Sequence, residues 1–302
     1  MRFSVALPTD RIQYGDEFLG ARAIREVAQA AEAAGYDACF VTDHPYPVQR
    51  WLEGGGHHAL DPFVALSFAA STTERLRLQT HVLVLPYRNP FLAAKSALSL
   101  DVLSGGRVIL GAAAGYLRGE FQALGADFDL RNELSDEAIV AMKRAWTEED
   151  VQLEGRHFHA RGNTMLPHPP QKPHPPIWVG GNSKRAIRRA IDLAEGWVPF
   201  TNTAAMAPFT RSASLETDDD LISGIAYARA HASSVGRKTP WDICFSLEGE
   251  SAKRSADETR ERVARLAEHG VTWLTVGFPA TTRAAYVERL QRFAEEVVAK
   301  SR

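Results

Sequence analysis

Short apolar runs alternate with longer stretches of helical spacing along most of the chain. Phe3–Leu7 has the pattern of a strand, and residues 17–34 then place Leu19, Ile24, Val27 and Ala31 at helical intervals, with Gly35 ending the helix. Ala38–Thr42 predicts a second strand, followed by a loop containing Gly54-Gly55-Gly56 and a helix over roughly 61–73. Leu76–Leu85 is the third strand and 90–103 the next helix. Gly105-Gly106 turns into the fourth strand, Arg107–Gly111, with a helix over 132–147. Ile177–Val179 and Gly196–Val198 are short strands flanking a helix that starts at 183. Trp241–Leu247 and Thr272–Val276 complete eight strands, and helices over 255–268 and 281–299 follow them. Eight strand–helix units predict an α/β fold whose parallel sheet closes as a (β/α)8 TIM barrel. The alternative is a doubly wound open sheet, but no Gly-x-Gly-x-x-Gly follows the first strand. Residues 148–176 and 199–220 exceed ordinary loop lengths and are read as insertions in a single domain spanning 1–302.

Composition narrows the class without changing this picture. The chain is 45% hydrophobic and 24% charged, as expected for a soluble globular protein, and 302 residues can bury a large core. Thirty-five Lys and Arg against 37 Asp and Glu leave a net charge of −2, so no field favours nucleic acid or an anionic membrane. No apolar run approaches the ~18 residues of a membrane span, and the first residues lack the form of a secretory signal. Cys39 and Cys244 lie in apolar runs and are expected as small core residues in a reducing, cytoplasmic setting.

In such a barrel, chemistry gathers where strands end and loops begin, at the C-terminal face. Gly180-Gly181-Asn182-Ser183 follows the strand Ile177–Val179, with Ser183 as N-cap of a basic helix. Backbone N–H groups at the positive end of a helix dipole suit a phosphate; the same residues also suit a plain strand-to-helix turn. Asp43-His44 ends the second strand, either as an acid/base pair or as an Asx-turn beside a solvated imidazole. Thr80 and His81 put polar groups into a strand that should be apolar on both faces, which marks a site or a satisfied core histidine. Ala112–Tyr116 supplies small residues that let a flat ring or another backbone come close. His157, His159, His168 and His174 match no common ligand spacing, and no metal is expected. Neither a Gly-x-Ser-x-Gly elbow nor a Walker loop occurs.

Several blocks in order resemble the luciferase-like monooxygenase superfamily of flavin- or deazaflavin-dependent barrels. They are Asp43-His44, Arg88-Asn89-Pro90, Leu100–Arg107, Glu120-Phe121-x-x-Leu124-Gly125, Trp146–Glu149, Pro175–Gly181 and Gly196-Trp197. The approach Gln171–Trp178 is most similar to coenzyme F420-dependent members. The resemblance implies a tricyclic cofactor in the barrel mouth, coenzyme F420 or alternatively FMN, with its phosphate on Gly180, Gly181, Asn182 and Ser183. It implies a non-prolyl cis peptide at His81-Val82 in a bulge behind the ring, Thr80, His81 and Val82 near the cofactor, and Gly115 and Tyr116 near its tail. His44 matches a position that transfers a proton in some deazaflavin members, and Asp43 would orient or tune it. The reaction implied is hydride transfer between deazaflavin and a small organic substrate; the alternatives are an FMN monooxygenase using oxygen or a non-catalytic flavin-binding homologue. A homodimer and a separate flavin or deazaflavin reductase complete the expectation. Two positions depart from the pattern: Ala113 stands where a glycine is usual, and His81 where many members have a small residue.

Overall fold

The computed structural model describes residues 1–247 and 254–302. Its strands in chain order are β1 Arg2–Ala6, β2 Ala38–Val41, β3 Arg77–Val84, β4 Val108–Ala113, β5 Val151–Glu154, β6 His159–Asn163, β7 Ile177–Gly180, β8 Gly196–Val198, β9 Asp242–Ser246 and β10 Trp273–Val276. The eight strands expected from the sequence form a closed parallel barrel in the order β1-β10-β9-β8-β7-β4-β3-β2. Alternation along each strand builds two layers. Val5, Cys39, Leu78, Leu110, Val179 and Leu274 point outward into the core shared with the helices. Ala38, Ile109, Trp178, Val198, Cys244 and Trp273 fill the barrel interior. Both cysteines are free and buried, and burial pushes each thiol up to about 12.

Helices α1 Ala21–Ala33, α2 Gln49–Glu53, α3 Pro62–Ala70 and α4 Pro90–Leu103 belong to the first half. α3 and α4 begin alike: Asp61 and Asn89 cap first-turn amides, and a proline takes the first helical position, where its missing N–H costs nothing. α5 Arg118–Ala123, α6 Arg131–Thr147, α7 Lys184–Leu193, α8 Ala207–Thr210, α9 Asp218–Ser234, α10 Ala256–Glu268 and α11 Arg283–Phe293 follow. The block Leu100–Arg107 acquires a structural reason. Buried Arg107 donates to the carbonyls of Ala70, Leu76 and Ser104 and to Thr73, tying the ends of α3 and α4 to the foot of β4.

Both insertions carry structure of their own. Residues 148–176 contain the antiparallel hairpin β5–β6. The acidic end of 199–220 is the first turn of α9, a 17-residue helix that the strand count passed over. Thr217 and Asp220 form its capping box, and Asp218 to Asp220 suit the positive helix end.

Candidate active site

The loops at the C-terminal ends of the strands enclose a cavity of about 330 Å³. Its floor comes from β3 and β4. The β3–β4 register shifts between Thr80 and Leu83, and the His81-Val82 peptide inside that bulge is cis, at the position the resemblance implied. Gly111 permits the bulge, since a Cβ there would lie 2.1 Å from the Thr80 carbonyl oxygen. Val82 and His81 face the cavity. Thr80 does not: its hydroxyl donates to the Gly111 carbonyl at 2.7 Å, so it pins the bulge from outside. Burial holds the His81 imidazole down to about 4, so it is neutral near pH 7.

One wall is the turn after β7. Gly181 has φ 122°, and Trp197 Nε1 donates to its carbonyl at 2.8 Å, fixing the turn from the outer core. Ser183 caps α7 as expected, accepting from the Ala186 amide at 3.1 Å. The turn offers fewer free donors than its sequence suggested. The Gly181 amide donates to Val198 and the Asn182 amide to Ser212. Asn182 is a bracket rather than a cavity residue, its side chain bonding Phe200 and Ala213 in the insertion. The donors left are the amides of the N-cap Ser183 and of Lys184 and Arg185 in the first turn of α7, which have no partner within the helix. Arg131, Arg185, Arg189 and Arg211 line the same end and supply the positive charge that end carries. Of these, Arg185 and Arg189 lie in the basic cluster Lys184–Arg189 that follows the glycines in sequence.

The other wall carries the titratable groups. His44 Nδ1 lies 3.3 Å from Glu120 Oε2, and Glu120 is fully buried. The same carboxyl accepts from the Tyr87 hydroxyl at 2.9 Å and the Tyr46 amide at 3.1 Å. Burial first, then the Glu120 charge, pushes the Tyr87 phenol up, and the same causes in the same order take Tyr116 to about 12. Both remain hydrogen-bond donors at neutral pH. With Nδ1–H directed at a carboxylate, the imidazole leaves Nε2 as its proton-exchanging atom. The His44 ring packs on Trp51 at 4.4 Å and edge-on to His57 at 4.9 Å. Gly56 makes that contact possible, because a Cβ there would strike the Trp51 ring at 2.3 Å.

Asp43 does not orient His44. Its carboxylate takes both Arg88 nitrogens, at 2.6 and 2.9 Å, and the Val84 amide at 2.9 Å. It locks the end of β2 to the segment after β3, and Glu120 stands in the role expected of it. Glu120 was visible in sequence as part of a family block, and Trp51 as an aromatic residue in a glycine-rich loop. Nothing local marks Arg131 or Arg211.

Residues 1–214 match the Luciferase-like monooxygenase family. The chain belongs to that family. It is thus a member of an oxidoreductase family built on this barrel. The chain is 32% identical over 216 residues to an FMNH2-dependent dimethylsulfone monooxygenase of Pseudomonas putida, a match spanning 70% of this chain and 55% of that protein. It is 28% identical over 315 residues to an F420-dependent glucose-6-phosphate dehydrogenase of Beutenbergia cavernae, covering 90% and 91% of the two chains. Among solved structures, monooxygenase RslO1 from Streptomyces bottropensis superposes over the full length of both chains with a TM-score of 0.82 at 22% identity. Among the described residues, no helix is long and apolar enough to cross a membrane.

Proposed function

We propose that the protein is a deazaflavin-dependent oxidoreductase that moves a hydride between coenzyme F420 and a small organic substrate. The reading rests on the cavity's fit to such a cofactor. Val82 and the small residues Ala113 and Ala114 leave room for a flat ring, and the α7 start with Arg185 suits its phosphate. Gly115, at φ 77°, packs where a Cβ would meet Val84 at 2.6 Å, so the backbone there stays close to the barrel. The cofactor, when bound, supplies the hydride chemistry. The chain supplies orientation and a proton: His44 exchanges it at Nε2, and Glu120 fixes the ring.

The observation that carries this reading is the His44–Glu120 pair, with the carboxyl fully buried and the imidazole at the cavity. The FMNH2-dependent relative supports a second reading, a monooxygenase that takes reduced FMN from a separate reductase and uses oxygen. The decisive experiment titrates the purified protein with FMN and with coenzyme F420 by fluorescence quenching. Tight binding of F420 with FMN at least tenfold weaker supports the first reading; the reverse order overturns it. We further infer that residues 1–302 act as one barrel unit in the reducing cytoplasm, where two buried free thiols are at home.

A further inference from the structure

Successive residues of a strand alternate between its faces, so Gln79 and His81 share the inward face of β3, with His81 one step nearer the barrel mouth. Gln79 is sealed in the barrel interior, whereas His81 reaches the cavity floor beside Val82. The two side chains meet, with Gln79 Nε2 3.3 Å from His81 Nδ1. Gln79 Nε2 also donates to Cys244 Sγ at 3.8 Å, on the opposite side of the barrel. Phe40, the register partner of Gln79 on β2, packs against the imidazole with ring centroids 4.8 Å apart. The imidazole is therefore held from below and from one side.

Burial keeps that imidazole neutral near pH 7, so it carries one N–H and one bare nitrogen. The Gln79 amide decides which is which. With its nitrogen towards His81, Gln79 places its two N–H groups on two acceptors, Nδ1 and Sγ, and leaves only the carbonyl Oε1 without a partner. The reverse orientation would strand a buried NH2 group, and orphaned N–H groups are rarer than under-satisfied carbonyls. An amide nitrogen only donates, so Nδ1 accepts and the proton sits on Nε2. Among the described residues Nε2 has no hydrogen-bond partner, yet it is not one of the polar atoms sealed from solvent without one. It opens on the cavity that His81 lines.

We propose that His81 presents an uncharged Nε2–H as a hydrogen-bond donor to an acceptor on the cofactor ring, and that Gln79 is the positioning residue that holds it in this tautomer. The proposal rests on the cofactor reading given above. The chemistry recognised is a ring carbonyl or ring nitrogen whose negative charge grows on reduction, and FMN and coenzyme F420 share a ring edge of that kind. A donor aimed there binds the reduced ring more tightly than the oxidised one. The partner is the ring rather than the substrate because His81 sits on the floor with Val82, Ala113 and Gly180, small and apolar neighbours that suit a flat ring. His44 and Glu120 stand on the wall instead.

The test begins with nitrogen NMR of the cofactor-free protein, labelled at its histidines. The resonances that vanish in His81→Gln identify the ring, and at pH 7 they should show Nε2 protonated and Nδ1 bare. Gln79→Met, which keeps the volume without the amide, should give a mixture of tautomers. Gln79→Glu, whose carboxylate accepts, should move the proton to Nδ1. A wild-type ring protonated at Nδ1, or a tautomer indifferent to both Gln79 variants, overturns the positioning role. FMN and coenzyme F420 are then titrated anaerobically, each oxidised and reduced, and a bound cofactor should shift the Nε2 resonance. His81→Phe should weaken the reduced form by roughly fivefold or more beyond any loss of the oxidised form, as a hydrogen bond to a growing charge requires. His81→Gln, which offers an N–H from the same place, should narrow that difference. Equal losses for the two forms in His81→Phe, or an Nε2 resonance that no bound cofactor moves, overturn the donor role. If wild type binds neither probe, the cofactor reading falls and the donor role with it; if a probe binds and His81 does not respond, only the donor role falls.

Discussion

At the scale of single residues, two neighbours in sequence, Asp43 and His44, do unrelated work. Successive side chains leave an extended segment on opposite sides, so adjacency at a strand end separates the pair rather than joining it. Glu120 reaches His44 from a helix 76 positions away, a contact that no local pattern could disclose. Glu120→Gln keeps the shape of the cluster but removes the carboxylate. Turnover should fall ten- to a hundredfold, with cofactor affinity within threefold in quenching titrations. An unchanged kcat would remove Glu120 from the chemistry. Asp43→Asn should act on stability instead. It weakens a bidentate pair with Arg88 in a largely buried place, at a cost of about 2–4 kcal/mol measurable by denaturant unfolding. His81 sets a pH dependence. Its folded-state value of about 4 lies below the ordinary histidine value, so the unfolded chain binds the extra proton and stability is lost as pH falls from about 6.5 towards 4. One edge faces the cavity, so the loss between pH 7 and 5 should be about 1–2 kcal/mol. His57 and His174 are also lowered, chiefly by burial, and act with the same sign. The His81 share is therefore the difference in pH slope between wild type and His81→Gln, and identical slopes would contradict it.

At the scale of elements, strands with strong apolar runs were legible to within a residue or two. β2 and β3, read as Ala38–Thr42 and Leu76–Leu85, are Ala38–Val41 and Arg77–Val84. The structure within residues 148–176 and 199–220 was not legible, for two different reasons. β5 alternates as Val151 and Leu153 buried against Gln152 and Glu154 exposed, too short a pattern to stand out among the prolines and glycines nearby. α9 opens on three aspartates, which look like a solvated run until Thr217 is recognised as its cap. The β3–β4 bulge was anticipated only through resemblance, because backbone geometry leaves little trace in residue type. Gly111 is the exception. Gly111→Ala would set a methyl 2.1 Å from a backbone oxygen that the Thr80 hydrogen bond helps hold in place. Overpacking of this kind costs about 1–3 kcal/mol or more, and the variant should melt several degrees below wild type in a thermal scan. Gly105→Ala is the matched control, since its Cβ meets nothing within 4 Å and only its φ of 68° resists. A larger loss at Gly105 than at Gly111 would mean that the close approach at the bulge is unimportant.

At the scale of the whole molecule, the barrel was legible because its logic is periodic: eight short apolar strands, each followed by a helix, leave few other ways to bury both sheet faces. The same reasoning exposes one surface that the described residues leave uncovered. On α3, Val64 and Phe68 lie one turn apart and are 58% and 45% exposed. On the neighbouring α4, Leu92 is 71% and Leu103 81% exposed, with the small residues Ser96 and Ser99 between them on the same face. Neither helix separates apolar from polar residues around its circumference, unlike α7, where Arg188 is exposed opposite buried Ile187 and Ile191. Contiguous apolar strips of this kind are seldom left open. The expected homodimer is best served by this face: a two-fold axis would set α3 and α4 against their own copies, with the serines allowing close approach. Light scattering during gel filtration should then give twice the 33.2 kDa chain mass at micromolar concentration. Phe68→Glu and Leu92→Glu, which place charge in the strip without touching the cavity, should shift the mass towards that of one chain. Cofactor quenching should persist in the resulting monomer, because every cavity residue described above comes from one chain. A wild-type monomer, or a dimer indifferent to both substitutions, would rule this face out as the interface.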